Sequence, residues 1–116
     1  MSEQATKVNG TIRIDGGTIV FTGGTGLTIA YFDGAFTPRT RLQNYSVPGI
    51  LTINGNPGGF NGRKSISGQV DDRGVGLEVI GDKDMKIGYI QSVVLDLSSE
   101  PGASGDGFGT YLFLPN

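Results

Sequence analysis

The sequence predicts an all-β domain, mainly antiparallel, with about eight strands arranged as a small β-barrel or β-sandwich and little or no helix. Three observations carry this reading. Glycine supplies 21 of the 116 residues, more than double its average share, and it punctuates short runs rich in Val, Ile, Leu, Thr, Tyr and Phe, the pattern of many short strands joined by glycine-rich turns. No segment of ten or more residues holds a helical period. The apolar runs recur at a spacing suited to sandwiches and barrels. The length allows one domain, 1–116, with residues 1–7 expected as a flexible N-terminal segment.

The first two strands, 8–14 (VNGTIRI) and 17–22 (GTIVFT), flank Asp15-Gly16, a strong hairpin signal. The third, 27–33 (LTIAYFD), follows a glycine corner, GGTG. Residues 35–48 read as the least regular region, because Pro38 and Pro48 discourage a central strand. Strands resume at 50–54 (ILTIN), and 55–62 (GNPGGFNG) is a loop by composition. Segments 64–70, 75–81 and 86–97 follow, separated by the turns DDRG and DKD, and the loop SSEPGASGDG leads to a last strand, 108–114 (FGTYLFL). In 75–80, Val75, Leu77 and Val79 share one face opposite Gly76 and Glu78, as in a half-exposed strand. The last strand is read as apolar on both sides, with Phe108, Thr110, Leu112 and Leu114 against Tyr111 and Phe113. Such a strand needs two covers, so either a segment such as 35–48 folds over its outer side or a second subunit does. Tyr111 and Phe113 are therefore the expected interface residues of a homo-oligomer.

Residues 22–26, TGGTG, resemble the TGxxGxxG fingerprint of the short-chain dehydrogenase and epimerase superfamily, which would imply a dinucleotide at a helix N-terminus. The resemblance stops at the third glycine, where Ile29 stands. Leu27-Thr28-Ile29-Ala30-Tyr31-Phe32 has the composition of a strand and is too short for a crossover helix. A hairpin corner is predicted instead, and no cofactor is assigned.

Nine Lys and Arg against eleven Asp and Glu give a net charge of −2, and the cations are scattered, which excludes a nucleic-acid partner of the basic-patch kind. No apolar run approaches a transmembrane helix. The start, MSEQATKVNG, has no apolar h-region, which predicts a protein without a conventional signal peptide, cytoplasmic or exported by another route. Cysteine and histidine are both absent. Their absence removes disulfides, thiolate ligands, Cys nucleophiles and the usual general base near neutral pH. The acidic turns Asp71-Asp72, GDKDMK and the Glu100 and Asp106 loop lack the fixed spacing of a calcium loop and read as solvated turns. Asp33, Glu78 and Asp96 could serve a glycosidase only if the fold brought two of them together. Neither a catalytic residue nor a metal site is assigned.

The leading expectation is a non-enzymatic module that binds a glycan, a lipid surface or a protein through its loops. Its candidate residues are Asn54, Asn56, Phe60, Asn61, Arg63 and Lys64, since an exposed aromatic ring beside amides and cations is the usual equipment for sugars or interfaces; the other reading of this loop is an ordinary long hairpin whose Phe60 tucks back onto the core. Alternatives are a self-assembling structural subunit and a barrel holding a small apolar ligand, with or without isomerase-like chemistry.

Overall fold

The structure, a computed structural model, describes residues 5–96 and 102–114. Each predicted apolar run becomes a strand: β1 (Ala5–Asp15), β2 (Thr18–Gly24), β3 (Thr28–Thr37), β4 (Tyr45–Asn54), β5 (Gly62–Asp71), β6 (Gly74–Ile80), β7 (Lys86–Ser92) and β8 (Ala103–Phe113). All pairings are antiparallel, and the order β1-β2-β3-β8-β5-β6-β7-β4 closes on itself, because β1 pairs with both β2 and β4. Barrel, not sandwich, is therefore the architecture, and closure leaves no unpaired sheet edge.

Several boundaries differ from those expected. β1 reaches back to Ala5, so that Ala5, Thr6 and Lys7 pair with Asn54, Ile53 and Thr52 inside the segment expected to be flexible. The region 35–48 is less irregular than expected, since β3 runs on to Thr37 and β4 begins at Tyr45. Pro48 sits within β4 opposite Thr11. Its carbonyl accepts from Val93 on the side of β7, and a residue's N–H would point the same way, just past the last β4–β7 pair at Gly49 and Ser92. The missing donor thus costs no ladder bond. β7 ends at Ser92, short of the predicted 97, and β8 starts at Ala103, taking over part of the predicted loop. Ser98, Ser99 and Glu100 lie outside the described residues.

Two connections cross the barrel ends. At one end, residues 38–44 pass over the β1–β2 turn, with Gly16 N–H donating to Leu42 O at 2.8 Å and Thr40 N–H to Gly16 O at 2.9 Å. Leu42 packs against the core there. At the opposite end, a 3-10 turn at Pro57–Phe60 links β4 to β5 and sends Phe60 into the interior.

The interior is filled by Val8, Ile12, Ile14, Ile19, Phe21, Phe32, Phe36, Leu51, Ile53, Phe60, Ile66, Leu77, Val79 and Ile90, all buried. Glycine has a different role here from the one expected. Most glycines stand within strands, and on the inner side of β8 Gly105, Gly107 and Gly109 lie in register with Phe36, Gly34 and Phe32. Side chains missing from β8 leave the volume that the phenylalanines of β3 and the 3-10 turn occupy, an aromatic-over-glycine arrangement suited to a narrow barrel.

Candidate functional site

The loop that the sequence singled out has most of its groups engaged by the fold. Phe60 is 1% exposed and its ring centroid lies 6.1 Å from that of Phe32, which corrects the expectation of an aromatic presented to solvent. The cause is the glycine stripe of β8: a Cβ at Gly109 would strike Phe60, so the ring occupies the space the glycine leaves. Asn56 caps the 3-10 turn, its Oδ1 accepting from Gly58 N–H at 2.9 Å. Lys64 is only 8% exposed, and its Nζ donates to the carbonyls of Asn61 at 2.7 Å and Arg63 at 3.3 Å. An ammonium capped in this way is not presented as a free cation. Asn54 is exposed at the end of β4.

Asn61 extends the sheet with its side chain. The backbone ladder between β5 and β8 ends at Gly62 and Gly109. One residue further, Asn61 Oδ1 accepts from Tyr111 N–H at 2.6 Å and Asn61 Nδ2 donates to Tyr111 O at 3.4 Å. Asn61→Ala is expected to cost about 1–2 kcal/mol, lowering Tm by several degrees and accelerating amide exchange at Tyr111 while distant strands keep their protection. Unchanged exchange at Tyr111 would sink this account.

Sequence reasoning expected an apolar outer side on the last strand but assigned it to Tyr111 and Phe113 and did not name the part that β3 supplies. Tyr111, on the inward parity of β8, is half-buried against the core, and Phe113, two residues on with the same parity, is exposed at the barrel end. The residues that face outward are Ile29 and Tyr31 on β3 and Phe108 and Leu112 on β8, with Leu27, Phe113 and Leu114 at the adjoining end. Ile29 lies directly opposite Leu112, and Tyr31 opposite Thr110. These seven apolar side chains expose between 38% and 61% of their surface, together on the order of several hundred Å², the scale of patches that mark interaction sites. Parity exposed the two-sided character of β8 but could not say which side is inner. The register with β3 decides it, since Phe32 and Ala30 point inward opposite Gly109 and Tyr111.

A row of three outward residues crosses this surface. Asp33 of β3, Phe108 of β8 and Arg63 of β5 are register partners in sequence. Arg63 is 80% exposed at its side chain and pairs loosely with Asp106 at 3.5 Å. Residues 38–44, part of the segment 35–48 offered as a cover for the last strand, close the barrel end near Gly16 instead. Among the described residues, nothing lies over the outer side of β8.

The remaining candidates are turns and separate strands. TGGTG runs from β2 into the connection to β3 without a helix, held by Thr25 N–H donating to Thr28 O at 3.0 Å. Asp71 Oδ1 accepts from Gln69 Nε2 at 3.1 Å and from Arg73 N–H at 2.9 Å. Asp33 and Glu78 sit on β3 and β6, with β8 and β5 between them in the barrel order, and Glu78 pairs with Lys86 at 3.2 Å. An open cleft of about 330 Å³ at the other end sets Arg39 and Arg41 among Asp71 and Asp72, a mixture that selects no single ligand charge.

Fold and surface together define an eight-stranded, closed antiparallel barrel with a filled interior and an apolar outer side on β3–β8. Of solved structures, the virulence-associated protein VapB from the intracellular pathogen Rhodococcus equi is similar in fold, with a TM-score of 0.60 and 18% identity over 97% of this chain and 99% of that one. No family model and no curated protein matches the sequence.

Proposed function

We propose that the protein is a non-enzymatic interaction module that docks a protein partner through the outer side of β3 and β8. The observation that carries this reading is the contiguous apolar surface formed by Ile29, Tyr31, Phe108 and Leu112, extended by Leu27, Phe113 and Leu114. Burying such a surface is favourable at about 25 cal/mol per Å², and a closed barrel has no edge for strand addition, so recognition falls to side chains on its exterior. A protein suits this surface better than a membrane. Its charges are Asp33, Asp106 and Arg63, a local acidic excess that anionic lipid headgroups would repel.

The test is site-specific photo-crosslinking from positions 29, 108 and 112, with outward Ser67 on β5 as the polar control, in cells that naturally make the chain. The expected result is one shared protein adduct from all three patch positions, none from position 67, and loss of the adduct in Ile29→Glu at unchanged Tm. Adducts formed equally at 67, adducts with lipid alone, or none at all would overturn the reading.

A further inference from the structure

We infer that the partner on this surface is a second copy of the same chain, related by a twofold axis that runs along β8. The inference rests on the docking reading above and adds the occupant and its geometry. Asp33, Phe108 and Arg63 lie side by side across β3, β8 and β5, and neighbouring strands are about 4.8 Å apart. Opposite charges therefore flank Phe108 at roughly equal distances. Rotation by half a turn about an axis along β8, lying in the plane of contact, exchanges left and right across the surface. Phe108 then meets Phe108 of the second copy, Leu112 meets Leu112, and each Asp33 faces an Arg63 of the other copy. Asp106, also outward on β8, falls opposite its own copy, where the Arg63 that pairs with it at 3.5 Å offsets the like charge, and the rest of the row has the self-complementarity that an isologous interface requires.

An axis perpendicular to the strands would instead set Asp33 on Asp33 and Arg63 on Arg63, and like charges placed face to face are strongly disfavoured. That axis makes two like pairs and no opposite one, whereas the axis along β8 makes two Asp33–Arg63 pairs and one like contact, Asp106 on Asp106 beside Arg63, so the charges favour the axis along β8. It keeps β8 and its copy aligned, as in packed sheets. The apolar patch with its charged flanks also approaches the ~800 Å² that each partner contributes to a standard interface. Arg63 is exposed and only loosely held by Asp106, so it can reach the facing carboxylate without breaking a buried pair.

Sedimentation velocity from low micromolar to near-millimolar concentration tests the proposal on the full chain. The wild type is expected to dimerise, Asp33→Arg and Arg63→Asp each to weaken the dimer at least tenfold, and the double exchange to recover most of that loss, with Tm unchanged when measured at a concentration where the wild type is monomeric, because both residues face outward. A dimer indifferent to either single exchange would overturn the twofold arrangement. A strict monomer that still forms a specific adduct with another protein at positions 29, 108 and 112 would overturn the second copy while leaving the docking surface standing. A strict monomer without such adducts would overturn both.

Discussion

Phe60→Ala is expected to lower stability by about 3–5 kcal/mol, the range for emptying a buried phenylalanine site. In a domain of this size that is a fall in Tm on the order of 10 °C or more. The ring is 1% exposed, packs against Phe32 at 6.1 Å between centroids, and enters the core from a connection between β4 and β5. Around it the inner side of β8 offers glycine at 105, 107 and 109, which cannot move in to fill a void, so the cavity should persist and the cost should lie high in the range. Chemical denaturation with a companion Phe60→Leu variant separates lost volume from lost backbone geometry, since leucine should recover part of the loss. A Tm unchanged in Phe60→Ala would mean that the ring is not a core residue, and the binding-loop reading of 54–64 would regain its aromatic.

Gly107→Val is expected to prevent folding or to cost about 3 kcal/mol or more, at and beyond the usual overpacking range. A Cβ at this position would meet Asp33 O at 2.5 Å, Phe32 Cζ at 2.6 Å and Gly34 Cα at 2.7 Å. Two of these are backbone atoms of the paired strand, which cannot yield without opening the β3–β8 ladder, and the third belongs to the ring that fills the barrel. Gly26→Ala supplies the matched control. Nothing lies within 4 Å of a Cβ there, so a change within about 0.5 kcal/mol is expected. Far-UV circular dichroism and thermal melts of the two variants would decide the matter: equal stability of both would contradict the view that glycine on β8 makes room for aromatics.

Both variants bear on why the loop 54–64 serves the fold while the apolar surface lies on β3 and β8. The loop 54–64 drew notice because Phe60, three Asn and two cations fall within a few residues, and local composition is what a loop displays in sequence. What composition could not display is that Phe60 turns inward, that Asn61 bonds across to Tyr111 fifty positions away, and that Lys64 is capped by carbonyls of its own loop. In the predicted stretch 108–114 the alternation signalled a strand apolar on both sides apart from Thr110, while the N-terminal half of β8 adds Ser104 and Asp106 to the outward parity. Nothing local distinguishes an inward row of small residues from an outward one, and the choice fell to the aromatics of β3, which need space opposite them.

The charge row of Asp33, Phe108 and Arg63 illustrates the same division. Those residues are thirty to seventy-five positions apart, and only the pairing of β8 with both β3 and β5 sets them side by side.

By itself the sequence determined the all-β class, the existence of eight strands, the hairpin at Asp15-Gly16 and the hairpin corner at TGGTG, because each depends on period, turn chemistry and propensity within a few residues. Tertiary structure alone decided that the sheet closes as a barrel, that glycine lines β8 beneath phenylalanine, and that the apolar surface lies on β3–β8. These depend on which strands become neighbours, a property of long-range register that packing of the whole core selects and no short window of residues contains.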